Sequence, residues 1–198
     1  MNNGILDEIE NLFKLHGHSL YGGEAVTQLE HALQAAMLAE NEGAAPALIA
    51  AALLHDIGHL LHNLPDNAPD TGIDDVHEQL AYNWLCNHFG NEVTEPIRMH
   101  VDAKRYLCAV EPEYWNSLSD VSQQSLELQG GTFTSEHSRA FEQNLYFEDG
   151  VRLRRWDDRA KVVGLQTPGL EHFLVYVRQV HRAAPANFGE TRRTKAIS

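Results

Sequence analysis

A chain of 198 residues with 15 Lys and Arg against 28 Asp and Glu carries a formal charge of −13. It is long enough for a self-sufficient hydrophobic core, and too acidic for DNA or RNA as its main partner, because phosphate contacts need a basic face. Two cysteines, Cys86 and Cys108, match no metal motif and form no disulfide framework, and the acidic amphipathic N-terminus is no signal peptide, so the expectation is a cytoplasmic protein.

The apolar pattern is helical nearly throughout, and the expected class is all-α. Ile5, Ile9, Leu12 and Phe13 repeat at three and four residues in a first helix that stops near Gly17. A second runs from about Glu24 to Glu42, with Val26, Leu29, Leu33, Met37 and Leu38 as its buried stripe and Gly43 as its stop. A third, Pro46 to about Leu61, is apolar on almost every side and belongs at the centre of the core. Even its longest apolar run, Ala44 to Leu54, is too short to cross a bilayer, so no membrane is expected as a partner. A polar loop, Asn63 to Asp75, follows. Helices are then expected at His77–Phe89, Glu92–Tyr106, Pro112–Ser117, Ser119–Leu128, Ser135–Leu145, Phe147–Lys161 and Leu170–Arg182. No linker interrupts this series, which predicts one domain over residues 1–184 and a polar, basic tail over 185–198.

Twelve histidines stand out in this composition. Histidine with carboxylate is the donor set of hard or borderline cations such as iron, manganese and zinc. The pair His55-Asp56 sits at the end of the most apolar helix, where charge is costly unless paired or metal-bound. Taken alone, that pair fits an ordinary buried hydrogen bond. His31 on the preceding helix, His77 and His100 on the next two, and Asp157 on a later one change the reading: packed helices that each supply one inward donor converge on a metal centre.

His31, His55-Asp56 and Asp157 resemble the signature of the HD-domain superfamily, whose members bind metal in a helical bundle, and His77 and His100 match the extra ligands of its dinuclear branch. The arrangement this resemblance implies has Asp56 bridging two ions, with His31, His55 and Asp157 on the first and His77 and His100 on the second. Around that centre, helical spacing gathers polar groups. His59 lies four residues after His55, Lys104 four after His100, and Arg154 three before Asp157; Ser122 and Gln129 lie seven apart on one helical face. Two cations, a hydroxyl and an imidazole form a clamp suited to a tetrahedral phosphorus group.

The stretch Tyr21-Gly-Gly-Glu24 resembles the Tyr-x-x-Glu loop of the HD-domain mixed-valent diiron oxygenases of phosphonate catabolism. Further matches run through residues 28–34, 51–59, 100–107, 118–131 and 154–161, so the resemblance covers about Leu20 to Lys161. It implies two iron ions as an Fe(II)/Fe(III) pair, dioxygen as co-substrate, and oxidative cleavage of the C–P bond of a cationic 1-hydroxyphosphonate to a carboxylate and phosphate. Tyr21, Glu24, His59 and Lys104 are then the catalytic candidates. Asp102, Ser122, Gln129 and Arg154 join them in binding substrate, with Tyr21 held on the metal until substrate displaces it and Glu24 meeting the amine end. Asp102 would add a carboxylate to the cation pocket, which tilts the expectation towards 1-hydroxy-2-(trimethylammonio)ethylphosphonate, giving glycine betaine, over its 2-amino analogue, giving glycine. On spacing alone, Asp102 reads equally as a surface residue pointing away from His100. A metal-dependent phosphohydrolase or a nucleotide-sensing HD module is the reading of another class.

Overall fold

The computed structural model describes residues 4–61 and 75–182. Most of the expected Asn63–Asp75 loop and the expected tail at 185–198 lie outside those residues.

Ten α-helices make up the described residues, joined by one short 3₁₀ turn. In chain order they are α1 (Ile5–His16), α2 (Gln28–Asn41), α3 (Pro46–Leu54), α4 (His77–Leu85), α5 (Asn91–Val110), α6 (Tyr114–Ser117), α7 (Asp120–Leu128), α8 (Ser135–Glu142), α9 (Phe147–Arg159) and α10 (Leu170–Val180). The all-α expectation holds.

The core is built on α3. Leu48 to Leu54 are all buried, and Ala50, Ala51 and Ala52 are small enough for α2, α5, α9 and α10 to approach on different sides. Burying each large aliphatic side chain here, such as Leu53 or Leu54, contributes roughly 1.5–3 kcal/mol. α5 packs along α9 and against α4, and α2 packs on α9, so the helices carrying the histidines and Asp157 surround one interior point.

Two boundaries differ from expectation, and both shape the site. Helix α2 starts at Gln28 rather than near Glu24, because Thr27 forms a capping box: its hydroxyl accepts from Glu30 N, and the Glu30 carboxylate accepts from Thr27 N. Residues 21–24 instead form a tight turn closed by Glu24 N donating to Tyr21 O at 2.7 Å, with Gly22 and Gly23 at φ of 49° and 87°. That left-handed pair is the reason for two glycines in succession. Second, α3 ends at Leu54 instead of running to Leu61. His55 and Asp56 lie in the turn, and Ile57–Leu60 form the 3₁₀ segment, packed against α4.

Candidate metal centre

His31 reaches the centre from α2, His55 and Asp56 from the end of α3, His77 from the first residue of α4, His100 from α5 and Asp157 from α9. All six are buried. Donor atoms of His31, His55, Asp56 and Asp157 all lie within 4.8 Å of one another. The two carboxylate oxygens of Asp56 face different pairs. Oδ2 is 3.4 Å from His31 Nε2 and 3.3 Å from His55 Nε2; Oδ1 is 3.3 Å from both His77 Nε2 and His100 Nε2.

The outer ring nitrogens determine what the inner ones can do. His31 Nδ1 donates to Ala160 O at 2.9 Å, His55 Nδ1 to Ala52 O at 2.9 Å, and His100 Nδ1 to Ile97 O at 2.7 Å. His77 Nδ1 donates to Asp75 Oδ1 at 2.8 Å. A carbonyl or carboxylate can only accept, so each Nδ1 carries a proton, and each ring, when neutral, turns its Nε2 lone pair inward. Those lone pairs meet in twos, His31 with His55 and His77 with His100, each pair 3.1 Å apart. Among the described residues neither Asp56 oxygen has a hydrogen-bond partner. Two converging lone-pair sets that share one carboxylate, each ring held by an outer acceptor, fit a pair of metal cations.

The electrostatics agree. Burial alone would lower the His31 imidazole, but the Asp157 and Asp56 carboxylates outweigh it and carry the ring up to about 9. Burial would raise Asp56, yet the surrounding imidazoles, His55 first, hold it well below the usual carboxylate range. The centre is thus an anionic core that draws positive charge to itself, as protons on the imidazoles or as metal ions.

Next to it lies a cavity of about 80 Å³. Of the residues singled out in the sequence, Tyr21, Glu24, His59, Lys104, Ser122, Gln129 and Arg154 line it, beside His77, His100 and Asp157. The Tyr21 ring stacks on His31 at 3.9 Å, and its hydroxyl is 3.5 Å from Asp157 Oδ1. Lys104 Nζ donates to Ser125 Oγ at 2.8 Å; burial and then the neighbouring Arg154 lower its ammonium to about 7. Arg154 is anchored on three sides, by Asp157 at 2.7 Å, by Asp158, and by the Tyr114 hydroxyl at 3.2 Å. The side-chain oxygen of Gln129 is buried with no hydrogen-bond partner among the described residues.

Asp102 is the exception. It is bonded to Arg105 at 3.2 Å and lines a separate surface groove with Phe133 and His137. Two residues along an α-helix turn the side chain by roughly 200°, so with His100 facing inward Asp102 faces out. The expected carboxylate for a cation pocket is therefore absent from this cavity. His59 reaches the cavity by another route than shared helical spacing: the 3₁₀ turn stacks its ring on His77 at 4.0 Å, and Nδ1 pairs with Asp75 at 2.6 Å. Its donor atom also clusters with those of Asp56 and His77.

Three residues that sequence reading passed over complete the site. Asp75 accepts from both His59 and His77, and Val76 between Asp75 and His77 takes the left-handed conformation (φ 45°) at a cost of about 1–3 kcal/mol for a β-branched residue. Ser125 lies three residues beyond Ser122 on α7, a helical spacing that could have been read. Lys161 follows the end of α9, where no periodicity points to it.

Residues 28–129 match the family model for the HD domain. That span takes in five of the six donors, and Asp157 and the Tyr21–Glu24 turn lie beyond it. The chain is 50% identical to a hydroxymethylphosphonate dioxygenase of Gimesia maris over 171 residues, 84% of this chain and 85% of the relative. It is 39% identical to a glycine-betaine-forming [1-hydroxy-2-(trimethylamino)ethyl]phosphonate dioxygenase of Leisingera caerulea over 181 residues, 91% and 92% of the two chains. An uncharacterised protein of Acanthamoeba polyphaga mimivirus is 39% identical over 170 residues, 85% and 78%.

Proposed function

The chain belongs to the HD-domain phosphonate dioxygenases, and on that premise we propose that it holds two iron ions and cleaves the C–P bond of a small 1-hydroxyphosphonate, hydroxymethylphosphonate first, to a carboxylate and inorganic phosphate. The observation that carries this reading is the adjacency of the Asp56-centred donor cluster and a small cavity lined by Lys104, Arg154, Ser122 and Gln129.

In this reading His31, His55, Asp56 and Asp157 hold one ion, and Asp56, His77 and His100 the other. When bound, the iron pair would activate dioxygen, the oxidant that takes up the electrons C1 loses. The protein's own groups hold and orient the substrate. Lys104 and Ser122 bind phosphonate oxygens, with Arg154 fixed behind them, and Gln129 offers an acceptor to the hydroxyl proton. A dianion held on several sides presents its C1–H in one direction, which is a positioning effect. His59, whose Nδ1 proton is held by Asp75, turns the lone pair of its other ring nitrogen to the cavity as an acceptor, and Tyr21 closes the cavity over His31.

The organic end decides between substrates. The trimethylammonio substrate expected from the sequence leaned on Asp102, which lies in another groove, and the amine end of either cationic substrate was expected to meet Glu24, whose Oε1 already accepts from Lys161 at 3.1 Å and Ser119 at 2.6 Å. A trimethylammonium needs aromatic faces or carboxylates over a large volume. The small cavity and the engaged Glu24 support a substrate with no cationic end. The test is oxygen-dependent phosphate release by the iron-loaded protein from the hydroxymethyl, 2-amino-1-hydroxyethyl and trimethylammonio compounds. Highest kcat/KM on hydroxymethylphosphonate is expected. Faster release from either cationic compound would overturn the choice of substrate, and phosphate release without dioxygen would overturn the oxygenase reading.

A further inference from the structure

Lys161 was not among the residues the sequence pointed to, yet its ammonium lies where three parts of the site meet. Nζ is 2.9 Å from Ser122 Oγ on α7, 3.1 Å from Glu24 Oε1 in the glycine turn, and 5.7 Å from the centre of the Tyr21 ring. It lines the same cavity as Lys104, and its side chain is only 13% exposed. Ser122 is thereby flanked by two ammonium groups, Lys161 on its hydroxyl and Lys104 at 3.5 Å from its carbonyl oxygen. Two like charges on one serine, one at its hydroxyl and one near its main-chain oxygen, in a cavity with further donors, form a locus of positive potential for an anion.

We propose that Lys161 binds the phosphonate directly, as a third cation of the pocket beside Lys104 and Arg154, and that Glu24 tempers its charge in the empty site. An ammonium has three donors and no acceptor; those of Lys161 meet Ser122, Glu24 and, at the longest distance of 3.3 Å, Ser119 Oγ, so an incoming oxygen can take the place of Ser119 while Glu24 and Ser122 are kept. The carboxylate at 3.1 Å offsets part of its charge and so weakens its pull on the anion. The ion pair with Glu24 and the hydrogen bond to Ser122 together tie the Tyr21–Glu24 turn to α7 through Lys161, so filling the anion pocket and holding the turn draw on one side chain. This inference rests on the reading of the cavity as a phosphonate site, and it adds a ligand-binding residue that neither helical spacing nor the metal centre predicts.

Inorganic phosphate is the probe, titrated calorimetrically at fixed ionic strength into the metal-loaded protein and its variants. Lys161→Met is expected to weaken phosphate binding about tenfold or more, the usual weight of one charge-assisted hydrogen bond. Lys161→Arg, which keeps the charge, should recover most of that loss. Glu24→Gln is expected to tighten binding about threefold, because Lys161 is released from its carboxylate, and the gain should vanish when Lys161→Met is added. Unchanged affinity in Lys161→Met, or weaker binding in Glu24→Gln, overturns the proposal, as does the absence of phosphate binding by the unaltered protein. Glu24→Gln retains the lysine and keeps the test decisive if Lys161→Met fails to fold. Phosphate affinity needs no dioxygen. A protein that shows this pattern but releases no phosphate from any hydroxyphosphonate refutes the proposed activity and leaves the Lys161 assignment standing, and the opposite result separates them the other way.

Discussion

A methyl group placed on Gly58 would lie 2.0 Å from the main-chain oxygen of His77, closer than any contact real side chains make. The 3₁₀ segment after Asp56 therefore sets where α4 begins, and with it the position of His77. Gly58→Ala must push these backbones apart. Overpacking of this kind costs about 1–3 kcal/mol, and the expected outcome is a lower melting temperature with preferential loss of the ion held by His77 and His100. Metal content per chain, measured beside the melting curve, checks it: full occupancy would mean that the segment yields without moving His77.

Asp56 faces one histidine pair with each oxygen, so its replacement should be felt at both metal positions. Asp56→Asn keeps the shape but removes the bridging charge, and both ions are expected to be depleted after gel filtration. His100→Ala should deplete one. Elemental analysis of the two variants side by side distinguishes a shared ligand from independent ones; equal depletion in both would end the bridging assignment.

Lys104 gives a pH dependence with a definite sign. Burial lowers its ammonium to about 7, far below an exposed lysine. The unfolded chain therefore binds more protons than the native one between about 7 and 10.4, and this residue's contribution makes the native state more stable as pH rises through that window. Anion binding runs the other way: the charged form holds phosphate, so affinity should fall as pH rises through about 7, and binding above that pH should take up a proton. Calorimetry in buffers of different ionisation heat measures the uptake, and Lys104→Met should abolish it.

Tyr21 stacks on His31 with its hydroxyl 3.5 Å from Asp157, close to the cluster while contributing nothing to the imidazole sets. Tyr21→Phe is expected to retain both metals. If the phenol reaches iron in the resting protein, the variant loses the phenolate charge-transfer absorption; an unchanged spectrum would remove Tyr21 from the metal.

Much of this site was legible because helices repeat. Lys104 falls on the side of His100 since four residues turn a helix by about 400°, and the same arithmetic at two residues would have placed Asp102 outside. The start of α2 was also legible, in the Thr27 to Glu30 capping spacing, which outweighs the apolar Val26 before it. The end of α3 was not. Leu54 to Leu60 keeps an apolar, helix-compatible pattern, and the break comes from fitting Asp56 among four imidazoles and Gly58 against His77.

By itself the sequence determined the all-α class, the central place of the alanine-rich α3 and the chemical identity of six buried donors, because burial and period are local properties that each segment carries alone. Only the tertiary structure decided which oxygen of Asp56 faces which pair, that Asp75 orients both His59 and His77, and that Lys161 meets Glu24 across the cavity mouth. Those relations depend on how helices are rotated and set against one another and on residues in turns. There no repeat ties a side chain to a face, and packing against distant segments chooses its direction.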